Sequence, residues 1–148
     1  MAPEIAEHNF GKDEIIIIGI KESGTYIAKK IEEYLREIFP GKVTTLALGI
    51  DKKNPGKVEL SEAVNLKGKI ILLADDVANS GRTMLYAMQS FLEHYPAEIQ
   101  TLALVERTHK LFPVALNYRG ISVSTTESEN ITVIVEDGII KGADIVSV

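Results

Sequence analysis

Ile70-Ile71-Leu72-Leu73-Ala74-Asp75-Asp76-Val77-Ala78-Asn79-Ser80-Gly81-Arg82-Thr83 joins an unbroken apolar run to two acids and then to a turn of small residues. Five apolar residues without alternation suit a strand covered on both faces, as in a parallel sheet. Such a strand ends at the sheet edge where open α/β folds bind ligands. Beyond it, the amides of a tight turn and of a first helical turn lack internal partners, and the helix dipole adds positive potential. The stretch therefore reads as an anion site. Gly81 allows close backbone approach, Ser80 and Thr83 offer hydroxyls to phosphate oxygens, and Asp75 and Asp76 can accept from the hydroxyls of an attached sugar. Val77 and Ala78 interrupt the alternate oxygen ligands of a calcium loop, and no Gly-Lys-Ser/Thr is present for a Walker loop.

With 148 residues, 45% hydrophobic and 25% charged, the chain is expected to form a single domain, 1–148, with a real core. No apolar stretch approaches a membrane span, and Met1-Ala2-Pro3-Glu4 leads into polar residues, so a cytoplasmic protein is expected. The absence of cysteine removes disulfides, zinc-thiolate sites and thiol nucleophiles. A net charge of -5 argues against wholesale nucleic-acid binding but leaves room for a local basic surface.

Strand-like and helix-like segments alternate, which predicts an α/β fold with a mainly parallel central sheet and helices on both faces. Ile15 to Ile18 is the first strand; Ile27, Ile31, Tyr34, Leu35 and Ile38 then share a helical face, and Glu32 and Arg36 are spaced as an exposed ion pair. Pro40-Gly41 ends that helix, and Val43 to Ile50 is the second strand. Ile70 to Ala74 is the third strand, and its helix places Leu85, Met88, Phe91, Leu92 and Tyr95 together before Pro96. Ile99 to Val105 and Ile131 to Val135 complete the strands, and Ile145-Val146 is a short apolar segment near the end. Gly19-Ile20-Lys21-Glu22-Ser23-Gly24 repeats the strand-turn-helix geometry of the main motif, so a second anion site is expected beside the first.

The segment Asp75 to Thr83 resembles the phosphoribosyl pyrophosphate (PRPP) signature of type I phosphoribosyltransferases. Gly19-Ile20-Lys21 followed by Gly24 is similar to the pyrophosphate loop of the pyrimidine-operon attenuation regulator (PyrR) family, with Ser23 standing where that family often carries Arg, beside acidic Glu22. Losing a guanidinium there removes charge-assisted bonds about twice as strong as neutral ones. Val105-Glu106-Arg107-Thr108-His109-Lys110, with Pro113 and later Tyr118-Arg119-Gly120, resembles a further PyrR segment. Asp51-Lys52-Lys53-Asn54-Pro55-Gly56-Lys57 sits where type I enzymes carry a lid. Ala2 to Phe10 resembles only the end of the family's longer N-terminal helix.

The resemblance implies a type I phosphoribosyltransferase fold with a small hood formed by chain-end segments. It implies an enzyme that binds PRPP with Mg2+ and transfers the phosphoribosyl group to a nucleobase, uracil, giving UMP and pyrophosphate. Asn79, Ser80, Gly81, Arg82 and Thr83 would grip the ribose phosphate; Asp75 and Asp76 would orient the ribose hydroxyls and hold magnesium through sugar or water. Ile20, Lys21, Glu22, Ser23 and Gly24 would take pyrophosphate, and Glu106, Arg107, His109 and Lys110 would border the base or an RNA. Two other readings stay open. One is a regulator that senses UMP or PRPP and contacts an mRNA leader through Arg107, His109, Lys110 and Arg119; the other is a nucleotide-binding relative without catalysis. A homodimer or higher homo-oligomer is expected from the same resemblance.

Overall fold

In the computed structural model, which describes residues 1–51, 54 and 56–148, strand β1 (Glu14–Ile20) points its isoleucines alternately into two cores. Ile15 and Ile17 pack with helices α1 (Ala2–His8) and α2 (Lys21–Ile38), while Ile16, Ile18 and Ile20 pack with α3 (Arg82–Leu92). A strand clothed on both sides needs no polar face, which is why its sequence does not alternate. The other strands are β2 (Lys42–Ile50), β3 (Val58–Leu60), β4 (Ile70–Ala78), β5 (Glu98–Arg107), β6 (Tyr118–Val123), β7 (Glu129–Glu136) and β8 (Ile139–Ser147). Six of them form one sheet in the order β3-β2-β1-β4-β5-β6, parallel except for β3 against β2. From β1 the chain winds outward to β2, then returns to lay β4 on the other side. The crevice beyond the carboxyl ends of β1 and β4 is thus the switch point where ligands bind in such sheets. No helix among the described residues is long and apolar enough to cross a membrane.

Several boundaries differ from those expected. Strand β4 does not stop at Ala74 but carries Asp75 and Asp76 within it, because β5 supplies partners as far as Val77↔Val105 and Ala78↔Glu106. In α2 the buried stripe is Ile27, Ile31 and Leu35, spaced four apart, whereas Tyr34 and Ile38 flank it and are exposed. In α3 the buried side chains are Met84, Ala87 and Phe91; the helix ends at Leu92, and Tyr95, 75% exposed, lies past it with a left-handed φ of 52°. Strands β6 and β8 were not legible, since most of their side chains are exposed and pairing with a neighbour, not an apolar pattern, makes them strands. Of the two chain ends, the C-terminal one builds the hood, as the β7–β8 hairpin. Helix α1 instead lies against the sheet with α2.

What pins α1 is a buried polar chain. Asn9 Nδ2 donates to Ile5 O at 2.8 Å and to Gln100 Oε1 at 3.1 Å, Gln100 Nε2 donates back to Asn9 Oδ1 at 2.8 Å, and the Tyr118 hydroxyl donates to Gln100 Oε1 at 2.8 Å. Burial pushes the Tyr118 hydroxyl up to about 12. Asn9 and Gln100 are fully buried, so losing Asn9 strips Gln100 of two bonds in a place water does not reach and leaves it only Tyr118 and Glu98 as partners. Asn9→Ala should therefore cost roughly 2 kcal/mol, read as a lower urea midpoint at unchanged slope.

Candidate active site

The cleft at the switch point has a volume of about 920 Å³ and draws its walls from the ends of β1, β2 and β4, the starts of α2 and α3, and strand β7 of the hood. Its construction rests on two glycines. A Cβ at Gly24 would stand 2.7 Å from Ala74 O, and one at Gly19 would stand 2.6 Å from Gly24 O. Only without those atoms can the first turn of α2 settle against β1 and β4, which brings it beside Asp75 and Asp76.

Where a turn was expected over Gly19 to Gly24, β1 runs straight into α2; Ile20 at the strand end and Lys21, Glu22 and Ser23 in the first helical turn line the cleft, and Gly24 packs behind them against β4. Lys21 holds φ at 53°, a left-handed conformation uncommon for a side chain with a Cβ. Such a residue persists only where its surroundings overdetermine it, and the cost is of order 1–3 kcal/mol. Here the Thr25 hydroxyl donates to the Lys21 carbonyl within α2 and also reaches Gly19 O at 3.4 Å, tying the first helical turn to the end of β1.

Opposite lie Asp75, Asp76, Asn79, Ser80, Gly81 and Thr83, all on the cleft wall. The Asp76 amide donates to Asp75 Oδ1 and the Val77 amide to Asp76 Oδ1, both at 2.8 Å, so each carboxylate is held by the backbone that follows it. Gly81 has φ 83° as the N-cap of α3, a conformation that favours glycine, and a Cβ there would stand 3.3 Å from Phe112 O and Val114. The Ser80 hydroxyl oxygen accepts from the Arg82 amide at 3.2 Å, leaving its own proton to donate. The Arg82 side chain lies 5.7 Å from the Tyr86 ring centroid and does not line the cleft. The Asn79 side chain has a partner outside the turn before α3: it exchanges two 3.0 Å bonds with the backbone of Ile131 in β7.

Sequence reasoning missed the hood side of the cleft, formed by Ile131, Thr132 and Val133, and also missed Thr25 and Tyr26 of α2. Alternation in β7 was visible, but nothing local tells a strand near the chain end which distant loop it will cover. Conversely, Glu106, Arg107, His109 and Lys110 do not line the cleft. Arg107 reaches into the hood, donating to Asn130 Oδ1 at 3.3 Å and Thr126 O at 3.0 Å. Lys110 donates to Glu106 at 2.5 Å, Ser122 donates to Glu106 at 3.1 Å, and Arg119 approaches it at 3.5 Å. His109 is exposed. The loop expected to act as a lid includes Lys52, Lys53 and Pro55, which lie outside the described residues.

No group of three or more carboxylates or histidines placed to hold a metal occurs among the described residues. Two adjacent carboxylates at a strand end do fit a magnesium ion that keeps most of its waters and binds mainly through ligand oxygens.

Burial opposes ionisation of Glu106, but the bonds from Lys110 and Ser122 and the charges of Lys110 and Arg119 outweigh it and hold its carboxyl below the ordinary 4.5. A carboxylate whose folded value is depressed stabilises fully above the ordinary value and loses that contribution as pH falls through the folded one. Glu106→Gln should cost about 2 kcal/mol at pH 7, since Lys110 is left buried without its counter-charge. The cost should shrink in denaturant melts taken below pH 4.

The model of the phosphoribosyl transferase domain family matches residues 1–139. The chain is 32% identical to the bifunctional protein PyrR of Pediococcus pentosaceus over 146 residues, covering 90% of this chain and 82% of the relative. It is 34% identical to that of Enterococcus faecalis over 143 residues, covering 90% and 80%. Among solved structures, a Bacillus anthracis hypoxanthine-guanine phosphoribosyltransferase superposes with a TM-score of 0.68 at 22% identity, over 88% of this chain and 75% of that one. A Trypanosoma cruzi hypoxanthine phosphoribosyltransferase complexed with the product IMP gives 0.75 at 16% identity, over 84% and 64%. Sheet order and these matches agree: the chain belongs to the phosphoribosyltransferase domain family, with PyrR proteins among its relatives.

Proposed function

We propose that this phosphoribosyltransferase binds PRPP with magnesium and transfers the phosphoribosyl group to uracil. The observation that carries the reading is one cleft in which Ile20 to Ser23 at the β1–α2 junction, the Asp75-Asp76 pair, and Asn79, Ser80, Gly81 and Thr83 face a common space. PRPP has a phosphate at one end, a diphosphate at the other and a dihydroxylated ring between, so it needs two anion sites with hydrogen-bond acceptors between them. The first-turn amides of α3 and the Ser80 and Thr83 hydroxyls suit the 5′-phosphate. Asp75 and Asp76 suit the ribose hydroxyls, and Lys21 with the start of α2 suits the diphosphate.

Departure of pyrophosphate leaves positive character on the ribose, so the protein's work is positioning and electrostatic stabilisation, with no covalent nucleophile. Asp75 and Asp76 supply negative charge to that ring and orient it, while Lys21 meets the charge developing on the leaving group. Bound through sugar or water on the two acids, magnesium would neutralise diphosphate charge. The hood wall at Ile131 to Val133 shields the reacting carbon from water, which would otherwise compete with the base. Uracil is preferred to purines because of the PyrR relatives at 32–34% identity.

A regulatory second activity is favoured by the word bifunctional in those relatives' names. In this chain Lys110 is paired with Glu106 and Arg107 is engaged by the hood, so an RNA surface here would rely on Arg119, which stays exposed, and on other cations. Salt-sensitive binding to a pyrimidine-operon leader, strengthened by UMP and absent with a scrambled RNA, would support it.

Pyrophosphate release from PRPP and magnesium with a panel of free bases is expected to be fastest with uracil. Asp75→Ala combined with Asp76→Ala should lower kcat about 100-fold or more; equal activity of variant and parent would overturn the site. Lys21→Ala should raise the KM for PRPP about tenfold and leave that for uracil nearly unchanged.

A further inference from the structure

The hood sheet β7–β8 shares no backbone ladder with the six-stranded sheet, so side chains decide how its inner strand stands over the cleft. An isolated hairpin is at best marginally stable in water. Besides the packing of its turn at Gly138 against Tyr26, three attachments hold this one. Ile131 and Val133 pack with Val77 and Val105; Arg107 reaches Asn130 and the Thr126 carbonyl; and Asn79 pairs with Ile131. Apolar contact is non-directional and permits sliding. The Arg107 bonds attach before the cleft-lining residues begin. The Asn79 pair alone among the three links the cleft wall directly to the turn that carries the anion site.

Its geometry is that of a strand partner made from a side chain. The Ile131 N–H donates to Asn79 Oδ1 and Asn79 Nδ2 donates to the Ile131 carbonyl, each at 3.0 Å, so one amide group satisfies both backbone groups of one residue. The turn itself is fastened on its other side, where the Leu111 and Phe112 amides donate to Ser80 O at 3.1 and 3.0 Å. A turn held from both sides passes a small displacement to Ile131 directly.

We infer that Asn79 is a positioning residue: it sets the height of the Ile131 to Val133 wall over the ribose and so governs affinity for the base, while its side chain leaves the phosphate to the neighbouring amides and hydroxyls. The inference rests on the phosphoribosyl-transfer reading of the cleft. A residue that merely stabilised the fold would change PRPP, base and turnover together, or none of them.

The test is Asn79→Ala, assayed with PRPP, magnesium and uracil and by amide hydrogen exchange in the ligand-free protein. The KM for uracil should rise about ten- to thirtyfold, with kcat and the KM for PRPP within about threefold of the parent. Exchange at Ile131 to Val133 should accelerate about tenfold or more, with β1 and β4 amides unchanged, which also verifies folding. An unchanged uracil KM, or an equal loss of PRPP affinity, would overturn the assignment. If the parent turns over no base, the transfer reading fails by itself and exchange decides the clamp: unaltered exchange at Ile131 to Val133 removes it, and local acceleration retains it.

Discussion

The approach of α2 to the central sheet at Gly24 is the contact on which the cleft depends. Its Cα lies so near Ala74 O that a side-chain carbon would overlap the carbonyl, and the same is true of Gly19 against Gly24 O. These two absences let the start of α2 sit beside the acids of β4, so that two strand-to-helix junctions share one cleft. Backbone strain at Lys21 follows from the same crowding: the chain must turn sharply to bring α2 back across the sheet, and Thr25 holds the turn in place.

The hood belongs to a different level of organisation. Its hairpin is tethered by side chains at Asn79 and Arg107 and by a small apolar cluster, and its turn rests against Tyr26, whose ring would lie 3.5 Å from a Cβ at Gly138. Tyr26 also lines the cleft, so the hood touches the site at both loops. Local stability is lowest where few apolar contacts are buried. An element docked in this way can shift without disturbing the sheet beneath.

Arg107 and Lys110 illustrate how a basic segment changes meaning in three dimensions. In the chain they stand in a run of cations after a strand. In the fold they serve Asn130, Thr126 and Glu106, and Glu106 in turn is the buried acid that gathers Lys110, Ser122 and Arg119 around the end of β5. Only His109 of that group remains turned to solvent as a sequence reading would have it.

Residues 70 to 83 by themselves determined the fold class, because a doubly buried strand must be continuously apolar; the small, glycine-bearing turn after it raised the expectation of an anion site. The first helix and the second strand were legible on the same grounds. Strands β6 and β8 were not, since their exposed residues carry no periodic signal. Which face of the cleft the hood would form, and that Asn79 would turn to Ile131 while Arg107 turned to Asn130, were decided only by tertiary structure. The partners lie 52 and 23 residues apart, and no local preference encodes a bond between groups that meet only after the sheet has assembled.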